Sequence, residues 1–303
     1  MTGLVLAILT ALFFPGIILR VKSLMAGRKG PGIFQPWKNI RVLLRKGSII
    51  SSTTSYIFRF APLVYLSTIL CATILIPFST MPSFFGFQGD FILFAYLLGL
   101  GKFFFIIGAM DTGSSFEGMG ANREALYSML VEPAFFILFG TLGMITGHSS
   151  MQDIFTLFHF TGHNEFIIGI IAIYLLIQIA MIENSRMPVD DPKTHLELTM
   201  IHEVMILDHS GFDLALIHIG TNLKFAMYGL LIANIILPSG GSFVYRIGFY
   251  MAIQILFAGV IGLLESFRAR KKLMKNSQFI VTLSSIALLA FILALLLMNR
   301  MIF

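Results

Sequence analysis

Eight separate apolar runs divide this chain, each close to the roughly 20 helical residues needed to cross a hydrocarbon core about 30 Å thick. They are approximately Leu4 to Leu19, Tyr56 to Ile76, Phe91 to Met110, Leu126 to Ile145, Phe166 to Ile182, Leu214 to Leu237, Phe243 to Leu264 and Phe279 to Met298. Lipid offers no hydrogen bonds to a peptide group, so such runs must satisfy their own backbone, and at this length that means helices. A composition of 57% hydrophobic and 12% charged residues, with a mean hydropathy of +0.88, is far from that of soluble proteins. The expected fold is an all-α polytopic membrane protein, one membrane domain over residues 1–303, with small residues at the helix contacts. The first run has no basic residue before it and ends in FFPGIILR, so it is expected to stay as a span and not to be cleaved as a signal peptide.

The net charge of +6 is distributed by topology. Eight Lys and Arg residues follow the first run (Arg20, Lys22, Arg28, Lys29, Lys38, Arg41, Arg45 and Lys46) and five follow the seventh (Arg268, Arg270, Lys271, Lys272 and Lys275). Arg123 follows the third and Arg186 and Lys193 the fifth, whereas the alternate connections hold only Arg246 and Arg300. Positive charge marks the cytoplasmic side, which places both termini outside and predicts a cytoplasmic membrane location. Basic residues confined to such connections are topology signals and give no reason to expect nucleic acid. The one cysteine, Cys71, lies in an apolar run, which excludes an internal disulfide and a cysteine-ligated iron–sulfur cluster.

Two cytoplasmic connections stand out. Residues 20–50 contain the rigid basic turn Arg28-Lys29-Gly30-Pro31 and then Gln35-Pro36 opening a short amphipathic helix. Trp37, Ile40 and Leu44 share one face of it, and Lys38, Arg41 and Arg45 another. Anionic headgroups or a soluble partner would suit this surface. Residues 183–213 hold Glu183, Asp190, Asp191, Glu197, Glu203, Asp208 and Asp213, with His195, His202 and His209. Pro188 and Pro192 stiffen the first part, and LELTMIHEVMIL reads as helical. Acids and histidines one or two turns apart can pass protons through water. His202-Glu203 does not continue as HExxH, and Asp190-Asp191 has no further ligands at helical spacing, so no metal site and no catalytic residue is expected in this chain.

Ionisable residues inside the runs are functional candidates, because charge at membrane depth is costly unless paired or wet. Glu132 lies two turns into the fourth run, with Lys224 or Arg123 as possible structural partners, and Lys224 is near mid-depth of the sixth. Arg59 and Lys102 are placed either to snorkel or to point into the bundle. His148, His159 and His163 fit no metal spacing and read as loop residues.

These residues resemble a known family. Glu183-Asn-Ser-Arg186-Met-Pro188-Val-Asp190 is similar to the ETNRAPFD signature of the H subunit of bacterial NADH:quinone oxidoreductase, respiratory complex I. Gly27 to Pro31 with Gln35-Pro36 resembles that family's GRKGP and QP elements, and Arg123 with Glu132 its arginine and Tyr-Glu pair. The first loop is shorter, however, Lys193 and His195 stand where that enzyme has glutamates, and the stretch from Glu197 to Ser210 is longer. Asp190 to Gly211 is instead similar to the homologous membrane subunit of group 4 membrane-bound [NiFe]-hydrogenases, including the formate hydrogenlyase type.

The resemblance implies a non-catalytic subunit beneath the hydrogenase small and large subunits, beside antiporter-like membrane subunits. It would carry no cofactor itself, and its partners would hold the Ni-Fe centre and iron–sulfur clusters. By the same analogy Glu132, Glu183, Glu197, Glu203 and Asp208, with Glu124, His202 and Lys224, lie on a proton or sodium path. Arg28, Lys29, Gly30, Pro31, Gln35, Pro36, Arg123, Arg186, Pro188, Asp190, Asp191 and His195 would dock the redox arm or shape its cavity. A quinone-site subunit of a complex I-like enzyme and the equivalent subunit of a sulfur-reducing complex are the alternatives. A stand-alone secondary transporter would show internal repeats and broken helices, and no convincing repeat is present.

Overall fold

The computed structural model describes residues 2–79, 81–158, 163–190, 200–237, 242–268 and 273–301. These fold into helices α1 (Thr2–Ala11), α2 (Phe14–Met25), α3 (Gln35–Leu43), α4 (Tyr56–Leu75), α5 (Asp90–Asp111), α6 (Ser115–Thr146), α7 (Met151–Leu157), α8 (His163–Glu183), α9 (His202–Met205), α10 (Gly211–Ile236), α11 (Phe243–Phe267) and α12 (Leu273–Met301). Among the described residues there is no β-strand, and eight helical spans are long and apolar enough to cross a membrane. The first of them is α1 and α2 together, interrupted before Pro15, which occupies the first turn of α2 where its missing N–H costs nothing.

Helix α10 is the axis of the bundle, with an almost unbroken run of buried residues from Leu223 to Ile235, packed on α1, α4, α8 and α11. Around it α4 pairs with α5, α6 with α12 and α2 with α11. The α4–α5 seam is close because α5 offers glycine: a Cβ on Gly101 would lie 2.3 Å from Thr68 Oγ1, and one on Gly108 2.7 Å from Ala61 Cβ. In lipid such close backbone approach takes the place of a hydrophobic driving force between helices.

The connections after the first, third and fifth spans meet at one end. Ser55 N–H donates to Asp111 Oδ2 at 2.7 Å, Ile49 N–H to Ser210 Oγ at 2.8 Å and Asp208 N–H to Glu117 Oε1 at 3.1 Å. At the opposite end Asn234 Nδ2 donates to the Pro77 carbonyl at 2.7 Å, and Met151 N–H to Asp90 Oδ1 at 2.7 Å. The three basic connections thus share an end, as their charge requires.

Two boundaries differ from expectation. Helix α6 begins at Ser115, well before the apolar run at Leu126, because its polar first turns bury a face of Glu117, Gly120, Ala121 and Glu124 against neighbours. Glu132 therefore lies about midway along a 32-residue helix and not two turns into it. The helix predicted for LELTMIHEVMIL is, among the described residues, the single turn of α9. Asp191, Lys193, His195, Glu197 and Thr199 lie outside the described residues.

Candidate functional site: a buried ionic cluster

Four charged side chains meet inside the bundle. Lys102 on α5 places Nζ 2.8 Å from Glu124 Oε1 of α6 and 3.2 Å from Glu183 Oε1 at the end of α8. Glu183 in turn receives Lys224 Nζ of α10 on Oε2 at 2.7 Å, and its backbone carbonyl accepts from the same ammonium at 2.9 Å. Lys102 also donates to Ser128 Oγ at 2.7 Å. No side chain of the four exceeds 8% exposure. Two lysines and two glutamates cancel, and only such balanced pairing makes buried ions tolerable.

Helix α8 stops at the cluster by a local device. Arg186 N–H donates to the Met181 carbonyl at 2.8 Å and Ser185 N–H to that of Ile182 at 2.9 Å, with Ser185 in the left-handed region at φ 47°. Glycine is the usual residue at such a helix end. Serine supplies what glycine lacks, because its Oγ donates to Glu124 Oε2 at 2.9 Å. The signature segment after Glu183 is buried. Asn276 Nδ2 of α12 donates to the Val189 carbonyl at 3.0 Å, Arg123 Nη1 to the Met200 carbonyl at 3.1 Å, and Asp190 Oδ2 accepts Ile201 N–H at 2.9 Å and His202 N–H at 3.2 Å. Asp190 is fully enclosed. It shapes the loop from within and offers no surface to a partner. Pro188 is likewise buried.

A cavity of about 30 Å³ adjoins the cluster, bordered by Lys102, Ser128, Glu132, Glu183 and Tyr228. That is room for one or two waters. Glu132 closes its outer edge and is exposed on the surface of the chain. The pairing of Glu132 with Lys224 or Arg123 is therefore corrected, since Lys224 is held by Glu183 and Arg123 by Met200.

On the other side, α2, α3 and α10 enclose a cavity of about 540 Å³ with Asn39, Arg186, Glu203, His218 and Asn222 among its polar lining and Pro15, Leu19, Pro36 and Ile40 among its apolar walls. It shares Ile40 and Asn222 with an apolar gap of about 190 Å³ bordered by Ile8, Leu12, Trp37, Leu66 and Leu70. The apolar face of α3, with Ile40 buried, thus rests on the bundle itself, while Lys38, Arg41 and Arg45 are exposed. Arg186 stands at the edge of the larger cavity, its guanidinium 5.2 Å from the Phe225 ring centre and its Nη1 3.3 Å from Glu265 Oε1. Glu265 Oε2 also faces Lys22 Nζ at 3.0 Å.

His202 lies between the two regions. Its ring stacks on Phe105 with centres 5.2 Å apart, and Phe105 is one turn from Lys102 on α5. Burial pushes its pKa down to about 4 against the pull of Glu124, so the ring is neutral near pH 7. His209, stacked on Phe58 at 4.0 Å, is lowered to about 4 by burial as well.

The structure thus brings Glu124, Glu183 and Lys224 together with His202 alongside, sets Glu132 at the small cavity, and places Glu203, Pro36 and Arg186 around the large one. Asp208 is apart from these, exposed and linked through its N–H to Glu117. Arg28, Lys29, Pro31 and Gln35 are exposed, and Gly30 is pressed against Ser23. Arg59 is exposed beside Tyr56, and exposed His148 lies 3.8 Å from Asp153. Ser185, His218 and Glu265 are not among the residues that the sequence marks, whereas Lys102 is, though without an assigned role. For Lys102 the signal was present, an ionisable residue deep in an apolar run. For Ser185 nothing in the sequence announces a left-handed backbone.

The fold and this interior define a polytopic helical membrane protein that carries a charge-neutral ionic cluster among its spans. The chain belongs to the NADH dehydrogenase family, whose model matches residues 1–298. It is 32% identical over 238 residues to hydrogenase-4 component C of Escherichia coli (strain K12), covering 78% of this chain and 74% of that one. It is 27% identical over 265 residues to formate hydrogenlyase subunit 4 of the same organism, covering 85% of each. Among solved structures it superposes on a chain of the membrane-bound sulfane sulfur reductase, an archaeal respiratory membrane complex, with a TM-score of 0.82 at 18% identity over 96% of both chains. The resemblance read from the sequence is thereby established, and the chain is homologous to membrane subunits of multisubunit complexes.

Proposed function

We propose that this chain is the membrane anchor and ion-coupling subunit of a hydrogenase-type redox complex in the cytoplasmic membrane. In this reading both termini face outside and the basic connections face the cytoplasm. The small and large subunits, carrying the iron–sulfur clusters and Ni-Fe centre, sit over the exposed Arg28, Lys29 and Gln35, and antiporter-like subunits flank the bundle. The observation that carries the coupling role is the balanced Lys102, Glu124, Glu183, Lys224 cluster. Each inner member is shared between two partners, so the pairing has more than one arrangement. A proton reaching Glu124 neutralises it and leaves two ammonium groups on Glu183 alone. In a medium of low dielectric the excess positive charge is costly. Neutrality returns when Lys102 gives up a proton to water in the adjoining cavity, from which Glu132 can receive it. Glu132 is exposed at membrane depth, where a carboxylate calls for a polar neighbour, and a second membrane subunit provides one.

The test is the complex purified in mild detergent and reconstituted in vesicles. Co-purifying nickel and iron support the hydrogenase assignment. Glu124→Gln and Glu132→Gln are expected to leave electron transfer running while ion uptake per turnover falls. Wild-type uptake in both would remove the cluster from the path, and a monomer that transports solute alone would overturn the subunit reading. A second reading has one observation in its favour: the large cavity with its apolar extension suits an amphiphile with a polar ring and a tail, such as a quinone. Turnover that depends on added quinone would select it. Reduction of sulfur by the purified complex would instead favour the sulfur-reducing alternative.

A further inference from the structure

No side chain of the cluster exceeds 8% exposure and none borders the large cavity, so a proton path that uses the cluster needs a way in. We infer that His218 and His202 form that inlet, passing protons between the 540 Å³ cavity and Glu124. The inference rests on the coupling role proposed above and adds the residues that feed it. His218, on α10, borders the cavity together with Glu203, Asn222 and Arg186. His202 is the neighbour of Glu203 in the chain, and its ring stacks on Phe105, one turn from Lys102 on α5. Its helix α9 packs on α6, which carries Glu124, and His202 is within electrostatic reach of both Glu124 and His218. Its position is set by backbone, since Asp190 holds the N–H groups of Ile201 and His202, and Arg123 holds the Met200 carbonyl.

A neutral imidazole carries one N–H and one lone pair, so it can accept a proton on one nitrogen while releasing the proton on the other. A proton taken up by His218 from cavity water is matched by one leaving its second nitrogen toward His202. His202 repeats the exchange toward the Glu124 carboxylate, directly or through water. Neither ring keeps a charge, and the proton gained by Glu124 equals the one lost by the cavity. Ammonium groups or amides at these two positions would lack this two-sided chemistry.

The experiment uses the whole complex in vesicles, driven by reduced methyl viologen, with turnover and proton movement recorded together. His218→Ala enlarges the cavity, and His202→Gln and His218→Gln keep the bulk while removing the relay. Each is expected to lower proton movement per turnover by roughly 10- to 100-fold, the scale of a lost proton-transfer group after water recovers part of it. Added imidazole is expected to restore movement in His218→Ala, where the vacated space opens onto the cavity, and to leave His218→Gln unchanged. A merely structural histidine would give no such rescue. Loss without rescue in the assembled complex overturns the inlet, as does wild-type coupling in both glutamine variants while Glu124→Gln is uncoupled. Wild-type coupling in Glu124→Gln itself would instead overturn the coupling reading on which the inlet depends.

Discussion

Two ionic groups among the described residues are built differently. The inner one balances two lysines with two glutamates, all enclosed among α5, α6, α8 and α10. The outer one places a single fully buried carboxylate, Glu265, between Lys22 and Arg186, whose side chains keep 18% and 15% exposure. The inner group has no bulk solvent to fall back on, only room for one or two waters beside it, so every charge depends on another. The outer group can compensate with water, and it fastens α2, α11 and the signature loop at the edge of the cavity. In the proposed reading the balanced, buried group is the relay, and the outer group, with excess base and solvent access, is a clamp.

Lys102→Ala should separate them most. It leaves Glu124 without its ammonium in a buried site, and breaking a buried pair costs about 3–5 kcal/mol. Loss of assembly, or a large fall in thermal midpoint in detergent, would show it, whereas a near-wild-type midpoint would mean that water reaches the cluster. Ser185→Ala removes one hydrogen bond to Glu124 without touching the ion pairs and should cost about 1.5–3 kcal/mol, with ion movement per turnover reduced as well. Glu265→Gln should be milder, about 1 kcal/mol, because solvent takes over part of the pairing. It should also leave proton movement per turnover unchanged. Uncoupling in Glu265→Gln would erase the distinction between relay and clamp.

Acid sharpens the same contrast. His202 and His209 have folded pKa values near 4, against 6.5 when unfolded. Below 6.5 the unfolded chain binds the extra protons, so the stability they contribute is complete above pH 6.5 and is lost as pH falls toward 4. The thermal midpoint should decline across that window, less steeply in His202→Gln and in His209→Gln.

Much of this molecule was determined by sequence alone. Apolar runs of bilayer length, backbone groups that lipid cannot satisfy, and basic residues confined to alternate connections together dictate eight spans, and the short signatures around Arg28, Glu132 and Glu183 resemble one family. Lys224 and Glu132 also stood out, because charge at membrane depth is rare whatever the packing. Partnership was decided by tertiary structure. A carboxylate in one helix carries no mark of which lysine it will meet from another, so Glu183 could not be assigned to Lys102 and Lys224, nor Glu132 to the edge of a cavity. The same holds for Ser185, whose hydroxyl matters only because the chain turns left-handed beneath Glu124, and for His202, whose neutrality follows from burial that no local pattern encodes. Local chemistry and lipid fix the spans. Long-range packing alone fixes which charges cancel.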